Sequence, residues 1–145
     1  MVVFLVLLDQ VSKLLVYGYI KPNHSIVIND FFSLTHVHNY GAAFSFLADQ
    51  SGWQRYFLIG VSSIASIGIM IWMWFLDKTQ SLKLIALSLL LAGAIGNLID
   101  RVWLGFVLDF FDFHYHDFYW PVFNIADILI ALGVVFLLFV DMRKT

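Results

Sequence analysis

Phe123-Asn124-Ile125-Ala126-Asp127 lies inside an apolar run that extends from Tyr119 to Val140. A run of this length can cross a bilayer as a helix, for which about 20 mostly apolar residues suffice. A carboxylate at the middle of such a helix costs roughly 2.5–3.5 kcal/mol on insertion scales, so it faces the bundle interior and marks function. Asn124 precedes Asp127 by one helical turn, which places both on one face and within reach of each other. At ~1.5 Å per residue Asp127 lies roughly 10 Å in from Trp120. It is therefore expected to be buried, yet close to one membrane surface.

The composition agrees with a membrane setting. The 145-residue chain is 61% hydrophobic and only 12% charged, and its mean hydropathy of +0.87 separates it from soluble domains. A net charge of −2 without a basic tract argues against nucleic acid as a partner. There is no cysteine, hence no disulfide framework, thiolate nucleophile or thiolate-bound metal. All ten acidic residues are Asp, and the absence of Glu excludes an H-E-x-x-H zinc protease. The first apolar stretch lacks a basic n-region and an A-x-A-like cleavage site, so it reads as a retained span.

Four spans are predicted, at about 1–19, 56–76, 82–99 and 119–140, in one domain covering 1–145. Runs of this length in lipid mean helices. The fold class expected is an all-α integral membrane protein whose four transmembrane helices carry a small extracytoplasmic β-platform. Lys78 and Lys83, with Arg143 and Lys144, favour one side of the membrane over Lys21, Arg55 and Arg101 on the other. That balance puts both termini in the cytoplasm. The outer loops are then 20–55 and 100–118. The first holds alternating β-type runs at 25–29 and 32–38, split by Asn29-Asp30. The second is crowded with aromatics from Trp103 to Phe118, as expected of a segment half-sunk among lipid headgroups.

Several polar residues could carry chemistry. Asp9 and Lys13 form an i,i+4 acid-then-base pair, which could simply neutralise itself within the first span. Asn97, Asp100 and Arg101 share a face at the outer end of the third span. Either Asp100 and Arg101 pair with each other, or Asn97 and Arg101 hold a substrate backbone or an active-site loop. Asp109 lies in apolar company, which disfavours its charged form and raises its pKa. Should Asp109 and Asp127 meet, like charges a few ångströms apart would share one proton, and such a dyad can activate water and protonate a leaving amine. Asp112 and Asp117 compete for that pairing. His36/His38 and His114/His116 leave a metal site open on spacing alone. An ion carrier relaying through Asp127 is a further, non-enzymatic reading.

Five stretches taken together resemble signal peptidase II, the bacterial lipoprotein signal peptidase, over nearly the whole chain and in the family's order. Asp9-Gln10-Val11-Ser12-Lys13 is similar to its D-Q-x-x-K motif, and Asn39-Tyr40-Gly41-Ala42-Ala43-Phe44 to its N-x-G-A-A-F motif. Residues 93–101 resemble G-x-x-G-N-x-x-D-R, residues 105–110 the segment bearing one catalytic Asp, and residues 123–127 the F-N-x-A-D motif bearing the other. The chain departs from the pattern at Ala92, where a Gly is common, and in the short lead before Asp9.

The resemblance implies that Asp109 and Asp127 are the catalytic pair of an aspartic endopeptidase. Asn39, Gly41, Asn97, Asp100, Arg101, Asn124, Asp9 and Lys13 would line or support the site. It also implies removal of signal peptides from diacylglyceryl-modified prolipoproteins, cutting just before the lipidated cysteine, with no metal and no cofactor. The implied partners are the prolipoprotein, membrane lipid and globomycin-type cyclic peptide inhibitors. The implied setting is the bacterial inner membrane, with the active site near its extracytoplasmic face and the protein acting as a monomer. The His pairs take no role in it.

Overall fold

The computed structural model describes residues 1–41, 52–77 and 79–142. Ala42, Ala43 and Phe44 of the loop motif lie outside these, as do Lys78, Arg143 and Lys144 of the orientation argument. Four helices are long and apolar enough to cross a membrane: α1 (Val2–Tyr19), α2 (Trp53–Phe75), α3 (Ser81–Trp103) and α4 (Ile125–Met142). Four strands fill the connections at one end: β1 (Ser25–Asn29), β2 (Phe32–Asn39), β3 (Val107–Tyr115) and β4 (Phe118–Tyr119).

Burial is inverted relative to a water-soluble bundle. Large apolar side chains such as Phe4, Leu14, Ile64 and Leu138 point outwards, whereas Asp9, Lys13, Asn97, Asp100 and Asn124 are buried. A bundle bathed in lipid gains nothing by hiding its Leu and Phe, and must hide its charges instead. The α3 helix is central, packing against each of the other three. Its glycines allow the closest approach. A Cβ on Gly93 would run into the Ala126 carbonyl oxygen, and one on Gly96 would come 2.5 Å from Asp9 Oδ2. On α4, a Cβ at Gly133 would meet the Leu90 backbone nitrogen at 2.8 Å. Small residues on facing helices are what let backbones come this near.

The all-α expectation needs correction. The strands form one antiparallel sheet in the order β1-β2-β3-β4, so the second outer loop contributes two strands to it. The register sets Val37 opposite Asp109 and Asn39 opposite Val107, with a bulge between Leu34 and Val37. The aromatic density of residues 106–118 reflects β-propensity as much as lipid contact. Inward-facing Leu108 and Phe110 pack with Val16 of α1 and with Ile20 just past its end, joined by Leu34, Phe111 and Ile125. This cluster fixes the sheet to the end of the bundle.

The last helix also begins later than the apolar run. Tyr119 belongs to β4, Pro121 follows, and the Phe123 carbonyl accepts the N–H groups of both Phe110 and Phe111. The segment before Asn124 thus pairs with the sheet, and α4 starts at Ile125. Asp127 therefore sits in the first turn of its helix rather than deep within it.

Candidate active site

The start of α4 is a capping box. Asn124 Oδ1 accepts the N–H of Asp127 at 3.0 Å, and Asp127 Oδ2 accepts the N–H of Asn124 at 3.2 Å. Each side chain satisfies a backbone donor that the first helical turn leaves unpaired. The second function of Asn124 faces away from the helix. Its Nδ2 donates to Asp109 Oδ1 at 2.6 Å and to Asn97 Oδ1 at 3.2 Å. One fully buried residue therefore touches both carboxylates, that of Asp109 through its side-chain amide and that of Asp127 through its backbone N–H.

The other oxygens are also held. Asn39, at the end of β2, donates from Nδ2 to Asp109 Oδ2 at 2.9 Å, and Asn97 donates to Asp127 Oδ1 at 2.8 Å. Asp109 is buried and Asp127 half-buried. Burial, reinforced by the negative charge of Asp127, pushes the Asp109 carboxyl up to about 7, against the pull of the Asn39 and Asn124 hydrogen bonds and of Lys13. A carboxyl in this range can hold a proton at neutral pH and still give it up.

Both carboxyls open on a cavity of about 430 Å³ with two unlike walls. Asn39, Asn97, Arg101, Asp109 and Asp127 form the polar wall, while Trp120, Pro121, Val122 and Phe123 contribute to the apolar one. Arg101 donates from Nη2 to the Gly41 carbonyl at 3.0 Å and from Nη1 to the Asn97 carbonyl at 3.3 Å. Its Nε–H has no hydrogen-bond partner among the described residues. Arg101 thus grips the loop that carries Gly41 and does not pair with Asp100.

Asp100 turns the other way. Lys13 Nζ lies 2.8 Å from Asp100 Oδ2 and 2.9 Å from Asp9 Oδ2, and donates to Asn97 Oδ1 at 3.0 Å. The i,i+4 pair expected in α1 is present, but as part of a larger node reaching α3. Gln10, which sequence reasoning left without a role, donates from Nε2 to Asp100 Oδ1 at 3.0 Å and to Asp9 Oδ2 at 3.1 Å. Its place in the D-Q-x-x-K stretch was the available signal.

Asp112 accepts a hydrogen bond from Thr35 Oγ1 at 2.7 Å and stays out of this constellation. The His pairs are likewise separate. His36 Nδ1 bonds the Ile20 carbonyl at 2.7 Å, and its Nε2 is 3.0 Å from His38 Nε2. His38 stacks on Phe106 with ring centroids 3.7 Å apart. Among the described residues, no three His or Asp side chains converge as metal ligands would.

The family model of Signal peptidase (SPase) II matches residues 1–143. The chain belongs to the signal peptidase II family. A lipoprotein signal peptidase of Pseudoalteromonas atlantica is 47% identical over 145 residues, covering 99% of this chain and 85% of that one. That of Tolumonas auensis is 47% identical over 137 residues, covering 94% of this chain and 84% of its own. Two solved bacterial membrane enzyme structures, obtained by the in meso method at 2.3 and 1.9 Å, are each 34% identical and superpose with a TM-score of 0.85. Both cover 99% of this chain, and the chain covers 85% and 91% of them. All five signal peptidase II motif stretches fall within the matched residues. Each contributes at least one residue to the hydrogen-bonded site around Asp109 and Asp127 or to the Lys13 node beside it.

Proposed function

We propose that this signal peptidase II family member is an intramembrane aspartic endopeptidase of the bacterial inner membrane. It removes the signal peptide from diacylglyceryl-modified prolipoproteins by cutting just before the lipidated cysteine. The observation that carries this reading is Asn124, whose amide and backbone hold Asp109 and Asp127 at one cavity mouth.

In this mechanism the dyad carries one proton. The ionised carboxyl takes a proton from water, the water oxygen attacks the scissile carbonyl, and the protonated carboxyl then serves the departing amine. The Nε–H of Arg101, without a partner among the described residues, is a buried donor suited to a substrate carbonyl. The apolar wall suits the hydrophobic end of a signal peptide, and the position of the site at the helix ends leaves the acyl chains of the substrate in lipid. On this reading the sheet end of the bundle faces the extracytoplasmic side, both termini are cytoplasmic, and the protein acts as a monomer. A globomycin-type cyclic peptide would occupy the same cavity.

The test is cleavage by detergent-purified protein of one prolipoprotein prepared with and without the diacylglyceryl group, with product masses measured. Cleavage only of the lipidated form, before its cysteine and unaffected by EDTA, supports the reading. Intact lipidated substrate with folded protein rejects it.

A further inference from the structure

Two carboxylates outside the dyad each hold the backbone immediately before one dyad member. Asp9 Oδ1 accepts the N–H of Ala126 at 2.9 Å, one residue before Asp127. Asp100 Oδ2 accepts the N–H of Leu108 at 3.2 Å, one residue before Asp109. Both also meet Lys13, whose ammonium lies within 2.9 Å of each. All of these groups are buried. The third Lys13 hydrogen goes to Asn97 Oδ1. An ammonium can only donate, so it fixes the Asn97 amide with its oxygen inward and its Nδ2 toward Asp127.

We infer that Lys13 is a positioning residue for the reaction: through Asp9, Asp100 and Asn97, one ammonium sets the separation and orientation of Asp109 and Asp127. Lys13 touches neither carboxyl of the dyad. It acts by aligning the α4 start, the β3 start and the amide between them. The arrangement explains why a lone cation stands in α1, a helix that supplies no member of the dyad. It also explains why two acids are tolerated beside it, since each neutralises part of its charge and closes a backbone donor. Gln10 spans the same two carboxylates. This inference rests on the peptidase reading above.

The groups facing Asp109 are Asn39 from β2, Asn124 and Asp127 from α4, Arg101 from α3 and Lys13 from α1. Replacing Lys13 removes a favourable cation as well as the alignment, so the pH profile separates this role from plain support of the fold. The experiment compares wild type, Lys13→Met and Lys13→Arg in detergent, with melting and elution as fold checks. For Lys13→Met, kcat should fall about 100-fold, the size of a misplacement near 1 Å, with KM unchanged. The basic limb of its pH–rate profile should move to higher pH. Lys13→Arg should restore the profile but only part of kcat, because a planar fork cannot reproduce the three-point contact.

If Lys13→Met does not accumulate, Lys13→Met/Asp100→Asn makes the same measurement, since it removes one charge of each sign and leaves the net charge of the node unchanged. A folded Lys13 variant with wild-type kcat and an unshifted profile overturns the inference. Wild-type protein that fails to cut lipidated substrate overturns the peptidase reading instead, so the two failures are distinct.

Discussion

Asn124 and Asp127 cap each other across the first turn of α4, each side chain accepting the backbone N–H of the other residue. The carboxyl proposed for catalysis is therefore held by the helix terminus itself. Its orientation follows from the backbone. Helix start and reactive group are the same piece of structure.

Substitutions at Asn124 should separate the cap from the bridge. Asn124→Ala loses both, costing about 1 kcal/mol of stability for the cap and about 100-fold in cleavage through misalignment of the dyad. Asn124→Ser keeps a capping oxygen but is too short to reach Asp109. Its melting temperature should recover toward wild type while its cleavage rate stays low. Recovery of both would show that the contact with Asp109 is dispensable.

Asp109 links stability to pH with a definite sign. Its folded pKa, about 7, lies above the ordinary carboxyl value, so the folded state binds the proton more tightly than the unfolded chain. That stabilisation is complete below about pH 4 and is lost as pH rises through 7, a span worth up to about 4 kcal/mol. Asp109→Asn cannot ionise and escapes the loss. Its melting temperature relative to wild type should rise steadily between pH 5 and pH 8. A constant difference across that range would mean the Asp109 carboxyl titrates normally.

The close approach of α3 and α4 depends on Gly93. A methyl group there meets the Ala126 carbonyl and would lie 2.7 Å from Ile130 Cγ1. Backbone rather than a flexible tip is in the way, so Gly93→Ala should cost about 1–3 kcal/mol. Because Ala126 adjoins Asp127, the residual folded protein should also cut more slowly. Thermal melting and cleavage on the same preparation check both effects.

Arg101→Lys tests whether the planar fork matters. A compact ammonium on a flexible stem cannot reproduce the fixed spacing with which the planar guanidinium meets the Gly41 and Asn97 carbonyls. The variant should fold, since charge is kept, and should lose about tenfold in kcat/KM, near 1.4 kcal/mol. A variant equal to wild type would remove Arg101 from substrate handling.

The polar residues of the site were legible because lipid makes them conspicuous. Asp9, Lys13, Asn97, Asp100 and Asp127 interrupt otherwise apolar runs, and the i,i+4 spacing of Asn97 and Arg101 is what the structure uses, while Asp100 joins Lys13 instead. Their partners were not legible. Lys13 joins Asp100 across 87 positions of sequence, and no local spacing announces that. The start of α4 was misplaced because hydropathy does not tell an aromatic strand end from a helix. Pro121 and the N-x-x-D spacing of Asn124 and Asp127 were the signals for a later start, since proline and a capping box both mark helix beginnings. The strand at 107–115 was obscured in the same way: its Phe and Tyr residues fit lipid headgroups and a sheet equally well.

The central claim is that Asp109 and Asp127 act as one unit, and it is tested most directly by single-turnover cleavage of lipidated prolipoprotein by Asp109→Asn and Asp127→Asn. Each variant should fold, retain substrate binding and lose about 10²–10⁴-fold in rate, with the double variant little worse than either single one. A folded single variant that cuts at the wild-type rate would contradict the account.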